Sequence, residues 1–64
     1  MICRITVGKT YTFEGHTVKV LEQRISLARG WAPDRVHLEF YDEGSAPYRL
    51  WVNSAQFRDE AMPV

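Results

Sequence analysis

A chain of 64 residues, in which lysine and arginine balance aspartate and glutamate, reads as one small domain with no net field to hold nucleic acid or an anionic membrane. Its apolar and charged fractions exclude a disordered chain, and no segment is long and apolar enough to read as a membrane span. A domain this short buries only about 60% of its chain surface, so its core must be dense or the chain must associate.

The first segment, Cys3-Arg4-Ile5-Thr6-Val7-Gly8-Lys9-Thr10, ends in the letters of a phosphate-binding loop. That motif needs a glycine five positions before Gly8, where Cys3 stands, and a helix after it, where Tyr11-Thr12-Phe13 favour a strand. The spacing therefore predicts a turn at Gly8-Lys9 between two strands, with Cys3, Ile5 and Val7 sharing the first strand's apolar face. Cys3 has no second cysteine to pair with, which suits a buried thiol in a reducing cytoplasm. The N-terminus also lacks the apolar run and cleavage site of a signal peptide, and the expected location is cytoplasmic.

Tyr11 and Phe13 alternate with threonines up to a turn at Gly15. From Thr17 to Gly30 two readings compete. Val18, Leu21, Ile25 and Ala28 fit helical spacing with Gly30 as a C-terminal cap, which would give a ββαββ arrangement. The β-branched Val18 and Val20 favour a strand to about Arg24, with a bulge near Leu21 to restore its phase, then a loop through Asp34. The strand is the preferred reading. Val36, Leu38 and Phe40 next point one way, with Arg35, His37, Glu39 and Tyr41 on the reverse. After the turn cluster that begins at Asp42, Tyr48, Leu50 and Val52 form the partner strand, with Arg49 and Trp51 behind them. Asn53 reads as a helix cap with Gln56 reaching back to it, opening one short helical turn between Asn53 and Phe57. Pro63 is expected to end regular structure.

The run Gly8-x-Thr10-Tyr11-Thr12-Phe13-x-Gly15-x-x-Val18-x-Val20-Leu21 resembles small bacterial SH3-like domains of unknown function, which begin G-x-Y-x-x-x-G-x-x-Y-x-V-L and close with L-W-V-R-P before a phenylalanine. Here the closing residues are Leu50-Trp51-Val52-Asn53-Ser54, then Phe57; the chain has one extra residue before Tyr11, Val18 for tyrosine, and Asn53-Ser54 for Arg-Pro. Phe40-Tyr41-Asp42-Glu43-Gly44 is similar to the hairpin of a Tudor domain, which shares that barrel. The resemblance implies a mainly β, SH3-like antiparallel barrel of about five strands. Its setting would be an accessory protein of a bacterium or mobile element.

Candidate chemistry is sparse. His16, in a turn, and His37, on a polar strand face, do not make a metal site, and no cofactor is expected. Cys3, His37 and Asp42 make a catalytic trio only on paper, and the expected role is non-enzymatic. Phe13, Phe40 and Phe57 are expected in the core, and Tyr11 and Tyr48 in the core or at its rim. Trp31, Tyr41 and Trp51 fall on loop or outer-face positions. Trp31 reads as a plug over an open barrel end or as a contact residue. Tyr41 and Trp51 read as a contact surface or as a cross-strand aromatic pair. The leading expectation is a protein-interaction module contacting its partner through Trp31, Tyr41 and Trp51, with Arg29 and Arg49 as polar anchors. The alternative is nucleic-acid binding through Lys19, Arg24, Arg29 and Arg35 beside Trp31. Basic residues dominate before Val36 and acidic ones after it, which also favours self-association into a homo-oligomer.

Overall fold

Alternating apolar and polar side chains make strands, and the strands of this chain assemble into one antiparallel sheet. The computed structural model describes residues 4–25 and 33–64. Its elements are β1 (Thr10–Phe13), β2 (His16–Ile25), β3 (Pro33–Phe40), β4 (Tyr48–Asn53), α1 (Ser54–Glu60) and β5 (Met62–Pro63). Their order across the sheet is β4-β3-β2-β1-β5, so the last strand returns beside the first. The five antiparallel strands and the short helix agree with the sequence reading; the closed barrel does not. β4 and β5 are the two ends of an open sheet. β4 passes directly into α1, which carries the chain over to β1, so β5 (Met62–Pro63) pairs with β1 and not with β4, and Pro63 has no N–H to give to a further ladder.

Local chemistry sets the connections. Phe13 pairs with His16 across a two-residue turn in which Glu14 (φ 50°) and Gly15 (φ 81°) both take positive φ. That is the turn whose twist matches a right-handed hairpin, and glycine adopts it without strain. β2 is a strand through Ile25, which removes the helical alternative for that segment; Ser26 to Gly30 lie outside the described residues. The pairing of β2 with β3 shifts register between Val20 and Glu22, so the bulge expected at Leu21 is present. β3 starts at Pro33, three residues ahead of the expected Val36.

The inner face of the sheet buries Tyr11, Phe13, Val18, Val20, Val36, Leu38 and Phe40 against Phe57 and Ala61. Phe57 lies edge-on to Tyr11 at 5.3 Å and tilted to Phe13 at 5.2 Å, so α1 bridges from the β4 end of the chain to β1. A seven-residue helix is well short of the roughly 12–15 residues that persist alone, and this one depends on that burial. Burying Phe57 contributes on the order of 1.5–3 kcal/mol. Asn53 adds a cap, its Oδ1 accepting the N–H groups of Ala55 and Gln56 at 2.9 and 3.1 Å. The Gln56 side chain bonds Glu60 (3.0 Å), one turn on, and does not reach back to Asn53 as expected.

Two further expectations fail at the ends of the chain. Residues 4–9 form no strand: Ile5 is buried but Val7 is 51% exposed, so they do not share a face. Cross-bonds hold this arm in place of a ladder, with Gln23 donating to the Ile5 carbonyl (3.1 Å) and the Tyr11 hydroxyl accepting the Thr6 N–H (3.2 Å). Cys3 lies outside the described residues. Pro63 does not end regular structure but belongs to β5, opposite Tyr11. At a sheet edge its missing N–H faces outward at no cost.

Candidate functional site

The Gly8-Lys9-Thr10 segment is a turn that leads into β1 and not a cradle of free backbone donors. Gly8 (φ 89°) sits in a turn, its N–H donating to the Val20 carbonyl (2.8 Å) while the Lys9 N–H donates to Thr6 (3.2 Å). Backbone donors already bonded within the fold cannot converge on an anion.

Chemistry-bearing side chains gather on the outer face of β2, β3 and β4. One row across the sheet reads Lys19–Glu39–Arg49, the next Glu22–His37–Trp51, and the third Arg24–Arg35–Asn53. In the first row the Glu39 carboxylate accepts from the Tyr41 hydroxyl (2.6 Å) and from Arg49 Nε (3.2 Å). These bonds, the Tyr41 one foremost, hold Glu39 below its usual carboxylate range, and the bond to Glu39 pushes the Tyr41 hydroxyl up. In the second row the His37 ring stacks on Trp51, centroids 4.4 Å apart and nearly parallel at 5°. Glu22 Oε1 lies 3.8 Å from His37 Nδ1, and the Arg24 guanidinium sits 4.9 Å from the centre of the Trp51 ring. Arg24 and Arg35 face each other across the β2–β3 ladder.

The expected site residues are thus partly united. Tyr41 and Arg49 meet on Glu39, while Trp51 belongs to the neighbouring row with His37 and Arg24. Tyr41 and Trp51 do not form the cross-strand pair; register sets His37 opposite Trp51, and Tyr41 lies beyond the end of β3. Trp31 and Arg29 lie outside the described residues. The sequence reading missed His37 as the ring beneath Trp51. Aligning Val36-Leu38-Phe40 with Val52-Leu50-Tyr48 would have revealed it, because that alignment fixes the row between them.

A second cluster lies at the other end of the sheet. Asp42 accepts from the Tyr48 hydroxyl through Oδ2 (2.6 Å), and its Oδ1 lies 2.6 Å from His16 Nδ1. The Tyr48 and His16 bonds hold Asp42 below its usual range, and Asp42 in turn pushes the Tyr48 hydroxyl up. His16 stands edge-on to Phe40 at 5.2 Å, and Phe40 stacks on Tyr48 at 5.0 Å. His16 opens β2 and does not sit in the turn itself. The cluster ties the β3–β4 turn to β2 by engaging Asp42 with His16 and Tyr48; Cys3, the third member of the trio with His37 and Asp42, lies outside the described residues. Among the described residues no group of three or more His, Cys, Asp or Glu side chains could hold a metal ion, and no helix is long and apolar enough to cross a membrane.

The remaining feature is the outer edge of β4. The Tyr41 N–H donates to Thr17 of β2 (2.9 Å). Strand alternation then turns the backbone groups of Glu39 and His37 toward β2, and those of Phe40, Leu38 and Val36 toward β4. Their partners Tyr48, Leu50 and Val52 are bonded inward, so Arg49 and Trp51 direct their N–H and C=O groups away from the sheet. Among the described residues no strand pairs with that side. Large apolar side chains flank it on both faces: Tyr48 and Leu50 on the inner, Trp51 on the outer, 37%, 51% and 36% exposed. Compared with known proteins, the chain matches no family model, no curated protein and no solved structure.

Proposed function

We propose that this chain is a non-catalytic binding module of SH3-like strand arrangement that takes up a polypeptide by strand addition along β4. The observation that carries this reading is the combination on one strand of outward backbone donors and acceptors at Arg49 and Trp51 with exposed apolar side chains on both faces. Main-chain pairing supplies affinity in such a mode, and alternate side-chain contacts supply selectivity. An incoming strand would lay one row of side chains beside Tyr48 and Leu50 and the other beside Arg49 and Trp51. The order β4-β3-β2-β1-β5, with a helical turn ahead of the last strand, is in keeping with the SH3-like resemblance of residues 8–57.

Affinity capture from the source cells tests this reading, with protein and nucleic acid identified separately. A bound polypeptide that is lost with Leu50→Lys, and that slows amide exchange at Arg49 and Trp51, is the expected result. One observation favours a second reading: Arg24 and Arg35 stand side by side on the outer face, with Arg24 over the Trp51 ring. A nucleic acid held by phosphate contacts and stacking would depend on those two arginines, and its affinity would fall steeply with salt. The balanced net charge weighs against it.

A further inference from the structure

We infer that the strand added to β4 is β4 of a second copy, paired antiparallel about a twofold axis through Leu50; this rests on the reading of β4 as a strand-addition edge. The two edges of the sheet are unequal. β5 is two residues long and carries Pro63, both of which blunt an edge against further pairing. β4 has six residues, no proline, no bulge against β3, and Arg49 as its single charge. A small chain that protects one edge and leaves the other long, regular and apolar has an edge shaped for pairing.

The sequence of β4, Tyr48-Arg49-Leu50-Trp51-Val52-Asn53, is complementary to itself in one register. Residues opposite each other in an antiparallel pair point to the same face, so inner-face residues must meet inner-face residues. With Leu50 on the axis, Leu50 meets Leu50 of the second copy, Tyr48 meets its Val52, and Arg49 meets its Trp51. The Arg49–Trp51 pairs fall where the backbone groups of β4 point outward, so each exchanges both ladder bonds. Each also places a guanidinium against an indole, a favourable contact. Moving the axis to Arg49 would set the two arginines face to face, which is destabilising. Moving it to Trp51 would draw Asn53 into the ladder, although its side chain is engaged in capping α1. The Leu50 register leaves Asn53 outside and brings together the half-exposed leucine that the fold itself does not cover.

Single-cysteine cross-linking of the full chain tests the register. In a Cys3→Ser background, Leu50→Cys sets two thiols across a non-hydrogen-bonded antiparallel pair, about 4.5 Å between Cα atoms, within reach of a disulfide. Mild oxidation should give a covalent dimer from Leu50→Cys in high yield, and little from Arg49→Cys or Trp51→Cys. By sedimentation equilibrium the unmodified chain should be a dimer at micromolar concentration and Leu50→Lys a monomer of unchanged circular dichroism. A monomeric parent chain, a dimer that survives Leu50→Lys, or preferential cross-linking through Trp51→Cys would each overturn the inference. A monomer whose Arg49 and Trp51 amides become protected on binding a foreign polypeptide would overturn self-pairing and leave the strand-addition reading standing. If the monomer binds no polypeptide at β4, both fail.

Discussion

β3 and β4 carry the same alternation and lie side by side, yet they meet different fates. On their shared inner face Val36, Leu38 and Phe40 are 0%, 0% and 4% exposed, while Leu50 and Tyr48, opposite two of them, are 51% and 37% exposed. Periodicity decides which face a side chain joins; cover decides whether it is buried. β3 is flanked by a strand on each side and covered by α1 through the Phe57 cluster, whereas β4 is an edge whose chain departs at once into that helix. The same residue type, leucine, is therefore core on one strand and contact surface on the next.

Substitutions along the shared rows test that contrast most severely. Phe40→Ala should destabilise the chain by about 3–5 kcal/mol, enough to unfold a domain of this size, because a large buried aromatic leaves a cavity beside Tyr48 and His16. Thermal denaturation reads this directly, and a melt like the parent's would mean that the inner and outer faces are exchanged. In the next row Leu38→Ala should cost about 2–5 kcal/mol. Leu50→Ala, assayed at dilutions that hold the chain monomeric, should stay within about 0.5 kcal/mol of the parent. Equal losses at the two leucines would remove the distinction between core and edge.

A smaller effect belongs to the junction between β4 and α1. Asn53→Ala removes the acceptor for two helix N–H groups and should cost about 1 kcal/mol by chemical denaturation, with Asn53→Asp retaining most of the stability. On the outer face Arg35→Glu should stabilise the sheet by roughly 0.2–1 kcal/mol, replacing a like-charge pair opposite Arg24 with an opposite-charge one. The gain should shrink in high salt, as exposed pairs do; a loss of stability would show that Arg24 and Arg35 are not opposed.

The finest contrast is in pH. Asp42 and Glu39 titrate below their ordinary values of 3.8 and 4.5, so what their hydrogen bonds contribute is present above the ordinary carboxylate range and is lost as pH falls through the lowered values. Tyr48 and Tyr41 titrate above 10.0, and their contribution is present below that value and lost as pH rises through the raised ones. Tyr48→Phe should flatten both limbs of the melting temperature against pH by removing the Asp42 bond. Unchanged limbs in this variant would place the pH dependence elsewhere.

Residue chemistry alone determined a good deal here: strands β1 to β4, the bulge near Leu21, the Asn53 cap, the core places of Phe13, Phe40 and Phe57, and the outward placement of Tyr41, Arg49 and Trp51. Each is a matter of period, propensity or a local hydrogen bond, written within a few neighbouring positions. Tertiary structure decided what depends on distant partners. Register laid His37 against Trp51 and divided the expected surface into two rows. Long-range bonds from Gln23 to Ile5 and between Gly8 and Val20 held residues 4–9 as an arm and not a strand. The sheet stayed open because β4 and β5, consecutive strands along the chain, lie at its opposite edges and share no ladder, and that left Leu50 uncovered. Alternation along a strand says which way a leucine points, but only the arrangement of the other elements says what it meets there.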